Sequence, residues 1–214
     1  MPVYHSADRS KPADRNRLGY LYVGFLHAPL TVLGPGTRVG LWLAGCGKNC
    51  TGCLSPELAE PRPEQKYPLD LLLAQILDLA KKNKAAGLTV SGGEPFDQGP
   101  ELLFMAKILK THGLRDILVY SGEKKDTLLK KYPDLTDFIS ALVDGPYEQD
   151  RPSKEIFRGS AGQTLHVFDE GLKEMYQAWS ARTQRQVQIL VSQNRIRLLG
   201  IPGQGGFDRL KDLF

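Results

Sequence analysis

"VGLWLAGCGKNCTGC", from Val39 to Cys53, joins an apolar run to a short loop that holds every cysteine of the chain. The run from Val39 to Ala44 is nearly all apolar, as expected of a strand buried on both faces of a parallel sheet. Cys46, Cys50 and Cys53 follow it at once, and no cysteine elsewhere can form a disulfide with them. Thiols clustered among Gly, Lys, Asn and Thr indicate metal chemistry more than core packing.

Strand-like and helix-like segments alternate after this stretch. The spacing of apolar residues predicts a helix over 68–82, and the segments 87–93, 116–122 and 139–146 are typical of short buried strands. A further amphipathic helix follows the first of these strands, and a short helix follows the second. This alternation predicts an α/β fold with a parallel sheet, whose strands carry their unusual residues at one shared edge.

The ends of the chain differ from this core. Residues 1–17 mix charges with Pro and Ser and predict a flexible tail, so we assign a core domain to 18–166 and an extension to 167–214. The extension is predicted to hold a helix, a β-hairpin around Ser192 to Asn194 and a glycine-rich segment, "GIPGQGGFDRL". The apolar stripe that predicts docking of this helix on the core is Leu172, Met175, Tyr176 and Trp179.

Composition excludes several classes of protein. A formal charge of +4 without clusters of basic residues argues against a nucleic-acid partner. No apolar run approaches the length of roughly 18 residues that a membrane span needs, and the N-terminus does not resemble a signal peptide. Three cysteines without a secretion signal indicate a reducing compartment, so we expect a cytoplasmic protein.

Three cysteines allow two kinds of metal site. A structural zinc site needs four ligands, which His27 or His166 could complete. A four-iron cluster takes one thiolate on each iron, so three cysteines would leave one iron open to a substrate or cofactor. Zinc would make the chain a non-enzymatic interaction module, which a colourless preparation would reveal, whereas an iron–sulfur cluster is brown.

Cys46-x3-Cys50-x2-Cys53 resembles the signature of the radical S-adenosylmethionine superfamily, and "GGEP" (Gly92 to Pro95) resembles its second motif. The resemblance implies a 4Fe-4S cluster on the three cysteines and S-adenosylmethionine on the open iron. It also implies that the glycine backbone and Glu94 receive the methionine amino group, a task that suits a close backbone approach and a carboxylate.

Four further motifs are similar to those of the enzymes that activate anaerobic ribonucleotide reductase: "GPGTR", "CTGC", "LVDGPYEQD" and "FRGSAGQ", within 34–166. Gly52 precedes the third cysteine, as in that branch. The chain departs from the pattern at Gly162, where the family usually has Asn, and in its extension of about fifty residues, which the compact activases lack.

This resemblance implies an incomplete (β/α) barrel in which a 5′-deoxyadenosyl radical takes hydrogen from a glycine of a partner enzyme. Flavodoxin or ferredoxin would be the electron donor, and direct modification of a peptide or small molecule is the alternative. No side chain is assigned a catalytic role. The predicted cofactor-binding residues are Gly52, Cys53, Leu54, Gly92, Gly93, Glu94, Pro95, Tyr120, Ser121, Asp144 and Arg158.

Several of these residues also have a purely structural interpretation. Asp144 and Arg158 could form an ion pair or cap a turn, and Tyr120 and Ser121 could belong to the core. The extension is expected to shape access for a macromolecular substrate and to leave cofactor cleavage untouched.

Overall fold

A mixed sheet with helices packed against it forms the body of the protein. The computed structural model describes residues 18–192 and 195–203, so the predicted tail and most of the glycine-rich segment lie outside the described residues. Within these ranges the strands are β1 Tyr20–Leu30, β2 Arg38–Leu43, β3 Lys66–Pro68, β4 Gly87–Gly92, β5 Asp116–Tyr120, β6 Ala141–Asp144, β7 Thr164–Val167, β8 Val187–Ser192 and β9 Arg195–Gly200. The α-helices are α1 Leu69–Asn83, α2 Gly99–Thr111, α3 Lys125–Lys131, α4 Leu135–Phe138 and α5 Lys173–Ser180.

The first seven strands form one sheet in the order β3-β1-β2-β4-β5-β6-β7. Its centre is parallel: β2 pairs with β4, β4 with β5, and β5 with β6. Its edges are antiparallel, because β1 runs against both β2 and β3, and β7 runs against β6. The predicted α/β fold is therefore confirmed, the predicted parallel sheet is found at its centre, and the antiparallel edges were not predicted.

Burial explains why the central strands form where they do. All six residues of β2 are buried, and the four residues of β6 are buried as well, because helices or neighbouring segments cover both faces. Helix α1 turns the apolar positions of its predicted stripe to the same core. Each such side chain, when fully buried, contributes about 1.5–3 kcal/mol to stability.

A buried ion pair joins the core to helix α5. The guanidinium of Arg38 pairs with Asp116, and its Nε donates to Thr89 Oγ1 over 2.7 Å. Tyr176 on α5 donates its hydroxyl to Asp116 Oδ1 over 2.6 Å. The buried pair is thus hydrogen-bonded on several sides, which is the condition under which two charges can lie inside a protein.

Helix α5 docks on the core as predicted, but through a narrower stripe. Tyr176 and Trp179 are buried and Leu172 is partly buried. Met175 is 37% exposed, so its assignment to the buried stripe was wrong. The predicted hairpin is confirmed as β8 and β9, which pair antiparallel. Among the described residues, every helix is too short or too polar to cross a bilayer.

Candidate functional site: the cysteine loop and its cavity

The three cysteines lie on a tightly curled loop at the carboxyl end of β2. Gly45 and Asn49 adopt positive φ angles of 108° and 48°, which turn the chain back on itself. The amides of Gly45 and Cys46 donate over 2.8 Å to carbonyls that follow the loop. Cys46 and Cys50 are half-buried, Cys53 is exposed, and all three thiols are free. Burial raises the pKa of the Cys46 thiol, so metal binding has to displace its proton.

The donor set fits an iron–sulfur cube better than a single metal ion. All three cysteines line one cavity of about 460 Å³. No three His, Cys, Asp or Glu side chains in the described part of the chain converge closely enough to share one ion. In a four-iron cube each thiolate binds a different iron. The three thiols therefore surround the cluster and need not approach one another as closely as the ligands of a single ion do. The Cys3His zinc site is not formed by these residues.

Both histidines proposed for a zinc site lie elsewhere. His27 stacks on Phe25 within β1, with ring centroids 6.0 Å apart. His166 on β7 has its Nε2 3.2 Å from Asp144 Oδ1, a close contact that is not aligned as a hydrogen bond. Neither side chain borders the cavity that the cysteines line.

The carboxyl ends of the parallel strands supply a second part of the cavity wall. This is the edge at which α/β sheets place their ligands, because the loops that follow the strands converge there. The wall-forming residues at the ends of β4, β5 and β6 or just after them include Gly92, Gly93, Glu94, Tyr120, Ser121 and Gly145.

The glycine pair of "GGEP" brings the end of β4 against the cysteine loop. Gly93 donates its amide to Leu43 O over 2.7 Å, and Glu94 donates its amide to Gly45 O over 2.8 Å. A Cβ on Gly93 would lie 2.1 Å from Gly45 O, and one on Gly92 would lie 2.2 Å from Leu43 O. Because both clashes are with backbone atoms, a side chain at either position would push the two loops apart.

Glu94 is held at the cavity by three donors. Ser121 Oγ donates to its Oε1 over 2.8 Å, and the amides of Phe96 and Gly122 donate over 3.1 and 2.8 Å. The residue is 2% exposed, and this burial raises the pKa of the carboxyl despite the three hydrogen bonds. A carboxylate fixed in this way is suited to accept a hydrogen bond from an ammonium group.

Lys48 is a cavity residue that the sequence analysis did not single out. Its ammonium pairs with Glu123. Burial acts to lower the pKa of Lys48, but the bond to Glu123 and the nearby charge of Glu94 outweigh it, so the pKa is raised. Lys48 therefore stays charged beside the cysteines. Its position inside the cysteine loop was the signal that could have identified it.

Tyr120 and Ser121 border the cavity side by side. Ser121 is engaged with Glu94. The Tyr120 hydroxyl is buried and has no hydrogen-bond partner among the described residues. Burial raises the pKa of Tyr120, so the hydroxyl keeps its proton. Buried polar groups without a hydrogen-bond partner are rare in folded proteins.

Four of the predicted cofactor-binding residues are not brought to the cavity wall: Gly52, Pro95, Asp144 and Arg158. Asp144 accepts a hydrogen bond from the amide of Lys125 over 2.7 Å, at the start of α3. Arg158 pairs with Glu155 over 2.8 Å and donates to the carbonyls of Ala161 and Gln163. Both charged side chains hold loops together next to the cavity.

The C-terminal extension also forms part of the wall. Residues 198–202, at the end of β9 and just beyond it, border the same cavity as the cysteines. Leu199 is buried in a cluster with Leu33, Trp42 and Leu58. This packing brings the extension to the cofactor cavity, and the expectation that it leaves cofactor cleavage untouched stays a prediction.

A family model described as a 4Fe-4S single cluster domain matches residues 32–166. The chain is 32% identical over 142 residues to the anaerobic ribonucleoside-triphosphate reductase-activating protein of Escherichia coli K12, which covers 63% of this chain and 91% of that protein. The protein of the same name from Enterobacteria phage T4 is 28% identical over 144 residues, covering 66% and 90%. The pyruvate formate-lyase-activating enzyme of Staphylococcus epidermidis is 37% identical over 87 residues, covering 39% and 35%.

The matched range begins just before "GPGTR" and ends at β7, so it contains the cysteine loop, the glycine pair and every parallel strand. Three cysteines around one cavity, with a fixed carboxylate beside them, agree with the cofactors of such a family. The chain belongs to the radical S-adenosylmethionine enzymes that activate glycyl radical enzymes, and its cofactors are a 4Fe-4S cluster and S-adenosylmethionine.

Proposed function

We propose that the partner of this enzyme is an anaerobic ribonucleoside-triphosphate reductase, in which it generates the glycyl radical. The observation that carries the proposal is the single cavity shared by the three cysteines and the Gly92–Glu94 segment, in a chain that spans about nine-tenths of relatives named for this activation. When bound, the reduced cluster and S-adenosylmethionine together supply a 5′-deoxyadenosyl radical that removes a hydrogen atom from a glycine α-carbon.

The residues of the chain bind and orient these groups. Cys46, Cys50 and Cys53 would hold the cluster through their three thiolates. The Gly92–Gly93 backbone and the Glu94 carboxylate receive the methionine amino group. Support for this role comes from the burial of Glu94 and the three donors that fix it beside the cysteine loop.

The proposal also includes the remaining predicted cofactor-binding residues, and a different observation supports each of them. Tyr120 forms part of the cavity wall while its hydroxyl is buried, and Leu54 adds an apolar contact at its rim. Gly52 and Pro95 act through the backbone of their loops. Asp144 and Arg158 act by positioning, because their side chains fasten loops that border the cavity.

The walls of the cavity serve a second purpose, which is to exclude water. Apolar side chains from the core and from the extension line the cavity together with the cysteines, among them Trp42 and Leu199. A dry cavity protects a reactive intermediate from side reactions and strengthens the hydrogen bonds that orient the cofactor.

We further propose that the sheet is the incomplete (β/α) barrel of this superfamily, with a core at 18–166 and an extension at 167–214. The parallel order β2-β4-β5-β6 and the cavity at the carboxyl ends of these strands support the barrel. The exposed Cys53 side of the loop is where an electron donor such as flavodoxin or ferredoxin would approach. Three free thiols that must stay reduced favour a cytoplasmic location.

Electron paramagnetic resonance tests the partner directly. The reconstituted protein is mixed anaerobically with S-adenosylmethionine, dithionite and the anaerobic ribonucleoside-triphosphate reductase of the same organism. We expect a doublet in the paramagnetic resonance spectrum of the reductase. This signal should disappear when the radical-site glycine of the reductase is replaced by Ala. Formation of 5′-deoxyadenosine without any protein radical would reject this partner and favour a peptide or small-molecule substrate.

A further inference from the structure

Arg185 lies in the connection between α5 and β8, and its guanidinium is surrounded by main-chain carbonyls. Nη2 donates to Ser153 O, Glu155 O and Arg158 O over 2.7, 2.7 and 2.9 Å. Nη1 donates to Pro202 O over 3.2 Å and to Ile201 O over 3.5 Å. One side chain thus joins two segments that are far apart in sequence.

Both of these segments lead to the cofactor cavity. Ile201 and Pro202 line the cavity themselves. The loop of residues 153–158 continues into Gly159 and Gln163, which line it as well. Gln163 Nε2 donates to Gly145 O over 3.2 Å, so this loop is also fastened to the end of β6.

The chemistry of this junction requires an arginine. A planar guanidinium presents five N–H donors in a fixed fork, so it can serve several carbonyls at once. A lysine has three donors on a flexible stem and no second group with which to reach the far segment. The side chain is half-buried, and this burial lowers the pKa of Arg185, but arginine remains protonated in proteins.

Within the described residues, no direct hydrogen bond joins these two segments. The hairpin of β8 and β9 is a separate two-stranded sheet, and such hairpins are marginally stable alone. Its apolar contact with the core runs through Leu199, Leu190 and Ile201, in the cluster that contains Trp42. The hydrogen-bonded link between the end of the hairpin and the 153–158 loop is made by the guanidinium of Arg185, which donates to main-chain carbonyls of both segments.

We propose that Arg185 is a positioning residue whose guanidinium fastens the segment 199–202 to the loop 153–158 and so holds one wall of the cofactor cavity closed. This inference deepens the proposed function and rests on it for the identity of the ligand, S-adenosylmethionine. By this inference, the C-terminal extension contributes directly to the cofactor site of this chain.

Hydrogen exchange of the cofactor-free protein tests the fastening itself. In Arg185→Met, we expect faster exchange in peptides covering 153–163 and 199–203, with β4 and β5 unchanged. Arg182→Met is the matched control, because Arg182 is an exposed arginine of the same connection that does not border the cavity. This readout does not require the cluster, so it stands even if the proposed function fails.

Calorimetry of the reconstituted proteins then tests the effect on the ligand. We expect Arg185→Met to weaken S-adenosylmethionine binding about tenfold, which corresponds to one or two net hydrogen bonds. The KM for S-adenosylmethionine in 5′-deoxyadenosine formation should rise with it, whereas iron content and kcat change little. Addition of guanidinium at low millimolar concentration should restore part of the affinity in Arg185→Ala.

Arg185→Lys serves if the methionine variant does not fold, because it keeps the charge and the aliphatic stem. It should show the same changes at a smaller size. Unchanged exchange at 199–203 together with wild-type affinity in the folded variants would overturn the proposal. Equal loss of kcat and affinity without rescue by guanidinium would also overturn it, since that pattern indicates a general structural defect.

Discussion

Glu94 combines a local structural task with a place at the cavity. Its carboxylate accepts hydrogen bonds from the Phe96 amide, the Gly122 amide and Ser121 Oγ, which fixes the turn after β4. The same carboxylate faces the volume that the cysteines line. A residue with only the first task would affect folding when replaced, whereas one with both would also affect the ligand.

Glu94→Gln should weaken S-adenosylmethionine binding while the cluster is retained. A hydrogen bond to a charged group contributes about 1.5–3 kcal/mol, which corresponds to a loss of roughly 10- to 150-fold in affinity. Calorimetry on the reconstituted variant measures it, and Glu60→Gln on the exposed surface is the control. A variant that is less stable but binds the ligand as the wild type does would leave Glu94 with the capping task alone.

Gly93→Ala should destabilise the cofactor-free protein, because the new Cβ would lie 2.1 Å from Gly45 O. Overpacking of this kind typically costs about 1–3 kcal/mol, measured by urea unfolding. Gly47→Ala is the matched control within the cysteine loop, since nothing lies within 4 Å of its Cβ. Its free energy of unfolding should change by no more than about 0.5 kcal/mol. Equal effects in the two variants would mean that the close approach of the two loops is unimportant.

At the scale of elements, helix α5 is held by one face. Tyr176 and Trp179 are buried against the core, and the hydroxyl of Tyr176 completes the hydrogen bonding of the buried Asp116. Met175 lies on the solvent side. The helix has eight residues and could not be stable alone, so its position depends on these contacts.

Tyr176→Phe should lower the free energy of unfolding by about 1–3 kcal/mol, because it leaves a buried carboxylate oxygen without its donor. Met175→Ala should change it by no more than about 0.5 kcal/mol. Urea denaturation of the two variants under identical conditions gives the comparison. A larger effect at Met175 than at Tyr176 would contradict the docking geometry.

The elements themselves were predictable where the period of apolar residues is clear. The central strands and α1 were predicted to within one or two residues, because continuous apolar runs and helical spacing depend on local sequence. The strand β7 and the antiparallel direction of β1 were missed. The direction of a strand such as β1 depends on the strand with which it pairs, and that pairing is a long-range contact. A four-residue strand such as β7 is too short to show a clear period of apolar residues.

At the scale of the whole molecule, the cofactor site is assembled from the sheet edge and from the far end of the chain. The contribution of the sheet edge was predictable, since the cysteines and "GGEP" end adjacent parallel strands. The contribution of residues 198–202 was not, because it depends on contacts between Leu199 and Trp42 and between Arg185 and distant carbonyls. Such long-range contacts leave no pattern in the local sequence.

The cysteine loop gives the most direct test of the central claim, that three thiolates hold a 4Fe-4S cluster that drives cleavage of S-adenosylmethionine. The measurement is the yield of 5′-deoxyadenosine and methionine after anaerobic reconstitution and reduction with dithionite, in the wild type and in Cys50→Ala. We predict equal amounts of the two products from the wild type and none from the variant. Wild-type yields from Cys50→Ala, or a colourless wild type that forms neither product, would contradict the claim.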